Sequence, residues 1–462
     1  MKYISTRGQA PELTFEEAML TGLARDGGLY LPAEIPVMSH DEIAALAGLS
    51  YEDIAFRVMW PYVSGSFAED EFKQIIGRAY EGFGHDARAP LKQLNENHFL
   101  LELFHGPTLA FKDFAMQLIG QLFQVALKRR GDRVTIVGAT SGDTGSAAIE
   151  AFRGLDAVDV FILFPHGRVS EVQRRQMTTP ADSNVHALAV DGDFDDCQAA
   201  LKDMFNDFDF RDGVKLAGVN SINFARVLAQ IVYYFSSAVS LGAPHRKVSF
   251  TVPTGNFGDI FAGYLAKRMG LPIDRLVVAT NQNDILHRCL SGEGYFKGDT
   301  IPSISPSMDI QVSSNFERAL YYAYGEDGGA VAQLMDELKS GGFNVSQGAM
   351  EALRETFDSG RVSEDETLAT IRHTLAHSAE LVCPHTAVGI KVGEEHRATG
   401  TPMITLATAH PAKFPAAVEK ASDVHPPLPS RMSDLYERPE RVTRIANDLG
   451  AIEDHIKGHI AE

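Results

Sequence analysis

Lys112 stands where a lysine is electrostatically disfavoured. In Phe104-His-Gly-Pro-Thr-Leu-Ala-Phe-Lys112-Asp-Phe114 and onward, Phe111, Phe114, Ala115, Leu118, Ile119, Leu122 and Phe123 recur at helical spacing. That periodicity puts Lys112 in the first turn of an amphipathic helix. A cation there meets the positive end of the helix dipole and the unpaired first N–H groups. Desolvation by Phe111 and Phe114 acts in the same direction, toward the neutral amine that forms Schiff bases. An exposed lysine whose stem lies across the helix start is the other reading of the same residues.

Four further segments carry groups that suit an anion or a ligand ring. Thr140-Ser-Gly-Asp-Thr-Gly145 joins a strand to a helix beginning near Ser146, and its small residues let backbone N–H groups close on an anion. It lacks the Gly-Lys-Ser/Thr of a Walker loop and the GxGxxG of a dinucleotide fold. Pro253-Thr-Gly-Asn-Phe-Gly-Asp259 has glycines flanking Asn256 and Phe257 ahead of a helix over 260–269, which suits a phosphate cradle. In Leu406-Ala-Thr408-Ala-His-Pro411 a hydroxyl sits at a strand end, able to donate or accept. Asn220-Ser-Ile-Asn-Phe-Ala-Arg226 opens a long apolar helix, with amide, hydroxyl and guanidinium near one start, a set that fits an oxyanion. Each segment alone is also compatible with ordinary turn and capping chemistry. His373 and His377 have i, i+4 metal-ligand spacing, but no HExxH glutamate or third ligand accompanies them, so they read as a surface or structural pair and no metal is expected.

The elements that must hold these segments are visible as short apolar runs. Val134–Ala139, Val158–Phe164, Val185–Val190, Val248–Val252, Leu276–Ala279 and Met403–Ala407 alternate with helical patterns. Near-continuous apolar strands between helices indicate an α/β fold with parallel sheet covered on both faces, where ligands bind beyond the carboxyl ends of strands. The first hundred residues read as helix-rich, with helix starts at Phe15 and Asp41. Pro302–Pro306 and 325–342 read as loops or insertions, and 411–429 as a proline-spaced C-terminal segment.

The net charge of −19 argues against nucleic acid and anionic membranes as partners. It also requires that any anionic ligand be held by a local cluster of Arg, Lys and helix N-termini. Cys197, Cys289 and Cys383 are too far apart for a knuckle and too few for a disulfide framework, which suits a reducing compartment. The N-terminus shows no apolar signal region, and the apolar run at 227–243 contains Gln230 and hydroxyl residues, so it reads as a core helix. These observations point to a cytoplasmic protein of about two to four domains.

Taken in order, Phe111-Lys112-Asp113, Ser141-Gly-Asp-Thr-Gly145, Asn220 to Arg226, Gly255-Asn-Phe-Gly258 and Thr408-Ala-His-Pro411 resemble the threonine synthases, members of the fold-type-II pyridoxal-phosphate family that includes the tryptophan synthase β chain. Lys2 to Gly8, Asp26-Gly-Gly-Leu-Tyr-Leu-Pro32 and Ser305 to Arg318 are similar to the long bacterial and fungal type. The resemblance implies an N-terminal domain at 1–95, a smaller domain at 96–240 with the cofactor lysine and a substrate-carboxylate loop, and a larger domain at 241–462 with the cofactor phosphate loop.

It further implies that Lys112 holds pyridoxal 5'-phosphate and moves protons, that Gly255, Asn256, Phe257 and Gly258 cradle its phosphate, and that Thr408 approaches the pyridine nitrogen. Ser141, Gly142 and Thr144 would hold the substrate carboxylate. Asp143 would reach the ring hydroxyl, where relatives of the shorter type carry Asn. Asn220, Ser221 and Arg226 would bind the phosphate of O-phospho-L-homoserine, a small-molecule substrate converted with water to L-threonine by a monomer or homodimer. A phospholyase releasing a keto acid, a plain serine or threonine dehydratase, and a non-catalytic metabolite sensor are the alternatives. Cys383 departs from the acidic residue usual before Pro-His-Thr-Ala-Val-Gly in the family.

Overall fold

The computed structural model describes residues 1–140 and 142–460. A six-stranded sheet has the order 357–361, 273–280, 248–253, 403–407, 98–102, 91–95, parallel throughout except for the last pair. A five-stranded, all-parallel sheet has the order 443–446, 185–191, 158–165, 134–139, 216–217. The central strands Val158–Pro165 and Val248–Pro253 are buried at every position, as expected where helices cover both faces. The fold is α/β, with parallel sheets covered by helices, as expected from the sequence.

All six strands read from the sequence are present. The missed strands lie largely at sheet edges. Leu91–Asn95, Phe357–Arg361 and Thr443–Ala446 carry polar residues on exposed faces, so no apolar run marks them. The segment at 325–342 is also not simply a loop. It contains the helix Gly328–Lys339, capped by Asp327 and burying Val331, Leu334, Met335 and Leu338. The glycines that suggested a loop flank this helix and fill its first turn.

The continuous ranges expected for the domains differ from sheet membership at both ends. Residues 91–102 pair into the six-stranded sheet through Met403–Ala407, and 443–446 return to the five-stranded sheet beside Val185–Asp191. The N-terminal helices share one apolar core with the central helix Phe224–Ser240. Tyr3 and Tyr62 both face Phe224, with ring centroids 5.4 and 6.1 Å away. That central helix is buried nearly all round and packs on helices Tyr51–Val63, Lys112–Arg130 and Gly258–Arg268. It therefore fixes the spacing of two helix starts that carry candidate site residues.

Candidate functional site

Lys112 is the first residue of helix Lys112–Arg130, whose inner face buries Phe114, Ala115, Leu118, Ile119, Leu122 and Phe123. The opposite end is complementary to the dipole, with Lys128, Arg129 and Arg130 in the last turn and Gly131 as a left-handed cap. The chain ahead of Lys112 is fastened to the end of strand Met403–Ala407. Phe111 N–H donates to the Thr408 carbonyl at 2.8 Å, Ala110 bridges Ala409, and His410 N–H donates to Leu109 at 3.0 Å. Thr408 and Lys112 are thus brought to one place by backbone pairing. Lys112 is only partly accessible, and burial pushes its amine down to about 8, with Arg226 and Lys413 acting in the same direction and Asp143 opposing.

Asp113 faces away into the preceding loop, accepting from Thr108 N–H at 2.9 Å and Thr108 Oγ1 at 2.6 Å. Burial raises its carboxyl to about 6 despite these bonds. It shapes the turn that delivers Lys112.

Asp143 begins helix Asp143–Phe152, at the carboxyl end of strand Val134–Ala139. The turn before it is organised by Thr140 Oγ1, which accepts from Gly142 N–H and Gly145 N–H at 2.9 Å each. Gly142 has φ +138°, and a Cβ there would overlap the Gln173 amide, so only glycine fits. Thr144 is half-buried in the first helical turn, and Ser141 lies outside the described residues. The Asp143 carboxylate receives Lys413 Nζ and Gln173 Nε2 at 2.9 Å each on Oδ1, and Ser307 Oγ at 3.4 Å on Oδ2. Burial pushes this carboxyl up, but the charges of Lys413 and Lys112 and the Gln173 bond outweigh it and hold it below the usual carboxylate range. His385, buried nearby, accepts from Ser307 N–H at 3.2 Å, and burial pushes its imidazole down to about 4.

The loop from Gly255 to Gly258 leads into helix Gly258–Arg268. Phe257 is left-handed at φ 62°, ψ 3°, an unusual state for a large side chain, held by contacts with Phe316 and Phe357. Gly255 lies so close to the 306–308 turn that a Cβ would come within 2.6 Å of the Ser307 carbonyl. Ser313 Oγ donates to the Gly255 carbonyl, and both the backbone and side-chain nitrogens of Asn315 donate to the Asn256 carbonyl at 3.1 Å. With the carbonyls of Gly255 and Asn256 already engaged, the left-handed turn at a helix N-terminus forms an anion nest. Asp259 does not cap this helix. It is buried against Tyr233 and Tyr234, whose hydroxyls donate to Oδ1 at 2.5 and 3.0 Å, and burial raises its carboxyl to about 7.

The segment at 220–226 differs in detail from the sequence reading. The helix starts at Phe224 with Asn223 as its cap, so Asn220 and Ser221 lie in the preceding turn and not on the helix. Arg226 is 4% exposed, its Nη1 donates to the Val219 carbonyl at 3.3 Å, and its Nε has no partner. It has no carboxylate partner among the described residues. Burial alone draws its guanidinium down to about 10. A buried cation without a counter-ion is costly unless an anion arrives to pair with it.

Lys112, Asp143, Arg226, Thr408 and the Gly255 loop are therefore gathered into one neighbourhood, while His373 and His377 lie exposed on helix Glu364–Ser378 with their rings stacked 3.8 Å apart. Lys413, Gln173, His385, Ser307, Asn315 and Arg318 were not among the expected site residues. Lys413 lies in the segment read at 411–429, His385 two residues beyond Cys383, and Ser307, Asn315 and Arg318 within 305–318, but none has a local signature of its own. They and Gln173 act by hydrogen bonds and an ion pair that only the tertiary fold supplies. Cys383, in the place of an acidic residue, caps helix Pro384–Glu395, its sulfur accepting from Thr386 N–H at 3.4 Å.

Residues 2–80 match the family described as threonine synthase N terminus, 85–333 the pyridoxal-phosphate-dependent enzymes, and 386–456 the threonine synthase C-terminal family. A threonine synthase of Pseudomonas aeruginosa is 56% identical over 462 aligned residues, covering 99% of this chain and 98% of that one. The chain belongs to the threonine synthase family. Its structure is similar to a pyridoxal-phosphate-bound threonine synthase of Brucella melitensis at a TM-score of 0.98 and 56% identity, covering 99% of each chain. The yeast threonine synthase structure matches at a TM-score of 0.94 and 41% identity, over 99% of this chain and 98% of that one.

Pyridoxal phosphate is the cofactor of this family, and the site suits it. It offers one amine of lowered proton affinity, a nest at a helix N-terminus where Gly255 admits close approach, and a hydroxyl on Thr408 with no side-chain hydrogen bond among the described residues. No helix among the described residues is long and apolar enough to cross a membrane.

Proposed function

We propose that the chain converts O-phospho-L-homoserine and water to L-threonine and inorganic phosphate, by γ-elimination of phosphate followed by addition of water at Cβ. Pyridoxal phosphate, when bound, supplies the electron sink that makes the Cα and Cβ protons of an attached amino acid removable. Lys112 holds it covalently, takes the Cα proton, and carries protons to and from Cβ and Cα as the amine is freed. Backbone N–H groups of Gly255, Asn256, Phe257 and Gly258 would hold the cofactor phosphate, Thr408 would serve the ring nitrogen, and Asp143 the ring hydroxyl. A neutral hydroxyl at the nitrogen leaves it free of an imposed charge, which suits β- and γ-chemistry. Ser141, Gly142 and Thr144 receive the substrate carboxylate.

Arg226 carries the choice of substrate. A buried guanidinium without a counter-ion, close enough to Lys112 to depress its proton affinity, demands an anion in the cleft, and Asn220 and Ser221 flank it. A serine or threonine dehydratase would leave that charge unpaired, whereas a phosphorylated side chain neutralises it. The enzyme would act in the cytoplasm. Its smaller unit would carry Lys112 and the carboxylate loop, and its larger unit the nest. The test is turnover of O-phospho-L-homoserine with identification of both products. Phosphate with threonine supports this function; phosphate with 2-oxobutyrate would assign a phospholyase instead, and absence of phosphate release would overturn the reading.

A further inference from the structure

Lys413 is wholly buried at the end of the short 3-10 turn Pro411–Lys413, five residues beyond Thr408. Its Nζ has two partners, Asp143 Oδ1 at 2.9 Å and the Thr108 carbonyl at 2.7 Å. The Thr108 carbonyl also receives Gln176 Nε2 at 3.0 Å, while the Thr108 hydroxyl and N–H are given to Asp113, next to Lys112. One ammonium thus ties the turn that delivers Lys112 to the start of the helix that carries Asp143.

Two lysines share the neighbourhood of one carboxylate here. Asp143 is ion-paired to Lys413, and no ion pair joins it to Lys112 among the described residues. We propose that Lys413 is a positioning residue for Lys112: by keeping the Asp143 carboxylate in its own ion pair, it denies that carboxylate to the Lys112 amine and leaves the amine available as nucleophile and base.

The charged surroundings of Lys112 support this division. Arg226 reaches it from helix Phe224–Ser240, Lys413 from the 411–413 turn, Asp143 from the neighbouring helix start, and His385, uncharged at neutral pH, from helix Pro384–Glu395. Asp113, on its own helix, is turned toward Thr108. Asp143 alone favours the ammonium form of Lys112, while Lys413 and Arg226 oppose it. Removing the Lys413 charge removes one opposing cation and frees the carboxylate that stabilises the ammonium. Both effects raise the proton affinity of Lys112.

The inference rests on Lys112 being the reactive amine, which reductive trapping in the wild-type enzyme tests separately. The experiment is acylation of Lys112 as a function of pH in the full-length chain freed of cofactor, read by mass spectrometry of the peptide, with circular dichroism to verify folding. The wild-type midpoint is expected near 8. Lys413→Met should move it up by about 1 pH unit or more, the usual effect of an opposite charge within reach. Lys413→Arg should stay near wild type, and Lys413→Met with Asp143→Asn should fall back to wild type or below. An unchanged midpoint in folded Lys413→Met overturns the proposal. Should that variant not fold, Lys413→Gln, which removes the charge but keeps a donor for the Thr108 carbonyl, decides: a midpoint above wild type supports the proposal, and no movement or a fall overturns it.

Discussion

The side-chain nitrogen of Asn315 donates to the carbonyl oxygens of Ser221 and Asn256, at 3.1 Å each. It ties the turn ahead of Arg226 to the nest at 255–258 with a single amide. Arg318, one turn along the same chain segment and wholly buried, reinforces the tie. It donates to Asn315 Oδ1, to the Ile222 carbonyl at 2.6 Å and to the Tyr30 carbonyl at 2.8 Å. The two segments in which the sequence resembles the long type of the family, 26–32 and 305–318, meet at this guanidinium. The N-terminal segment therefore takes part in spacing the turn ahead of Arg226 and the 255–258 loop.

Replacing Asn315 with Ala removes both donations and leaves the Ser221 carbonyl without this donor. The expected loss of stability is about 1–3 kcal/mol, the cost of buried polar groups losing a partner. The KM for the phosphorylated substrate should rise about tenfold, because the Ser221 turn and the nest no longer hold a fixed separation. Thermal unfolding and steady-state kinetics check this. A destabilised protein with unchanged KM would limit Asn315 to a role in folding.

Arg226→Met should separate stability from function. Removing a buried, unpaired cation relieves its desolvation, so the ligand-free variant should unfold at or above the wild-type temperature. Inorganic phosphate, which should raise the wild-type melting temperature, should no longer do so, and kcat/KM should fall by about 10²–10³-fold, as for the loss of other charge-stabilising donors. Calorimetry with and without phosphate distinguishes this from simple misfolding.

Stability of the cofactor-free protein should depend on pH through Lys112. Its amine titrates near 8 in the folded chain and near the ordinary 10.5 when unfolded. Between these values the unfolded chain binds more protons, so stability rises with pH across that window. Below about 8 both forms are protonated and the full cost of the buried ammonium is present. Lys112→Met should accordingly be more stable than wild type at pH 7, with the difference shrinking from pH 8 toward 10.5. Denaturant unfolding at several pH values measures it; a constant difference would show that the amine is not desolvated.

What the sequence made legible was the sheet interior and the loops at its strand ends. Strands such as Val158–Pro165 are apolar at nearly every position because both faces are covered, and the turns beyond other strands advertise themselves by glycine and small hydroxyl residues. Edge strands such as Thr443–Ala446 are half solvent-facing and leave no such trace. In the site, Lys112 was readable because its helix position conflicts with its charge. Lys413 was not, since its burial comes from a turn packed beneath Asp143 and Thr108, residues some 270 to 305 positions earlier. The same holds for Asn315, whose partners lie 59 and 94 residues away.

The most direct measurement of the central claim is reduction of the holoenzyme with borohydride, followed by peptide mapping of the trapped cofactor. Two lysines, Lys413 wholly buried and Lys112 partly so, lie near Asp143, so the assignment has a real competitor. The expected result is a single modified peptide carrying the cofactor on Lys112, with the cofactor–lysine absorbance lost in a folded Lys112→Ala variant. A label on Lys413, or an unchanged absorbance in Lys112→Ala, would contradict it.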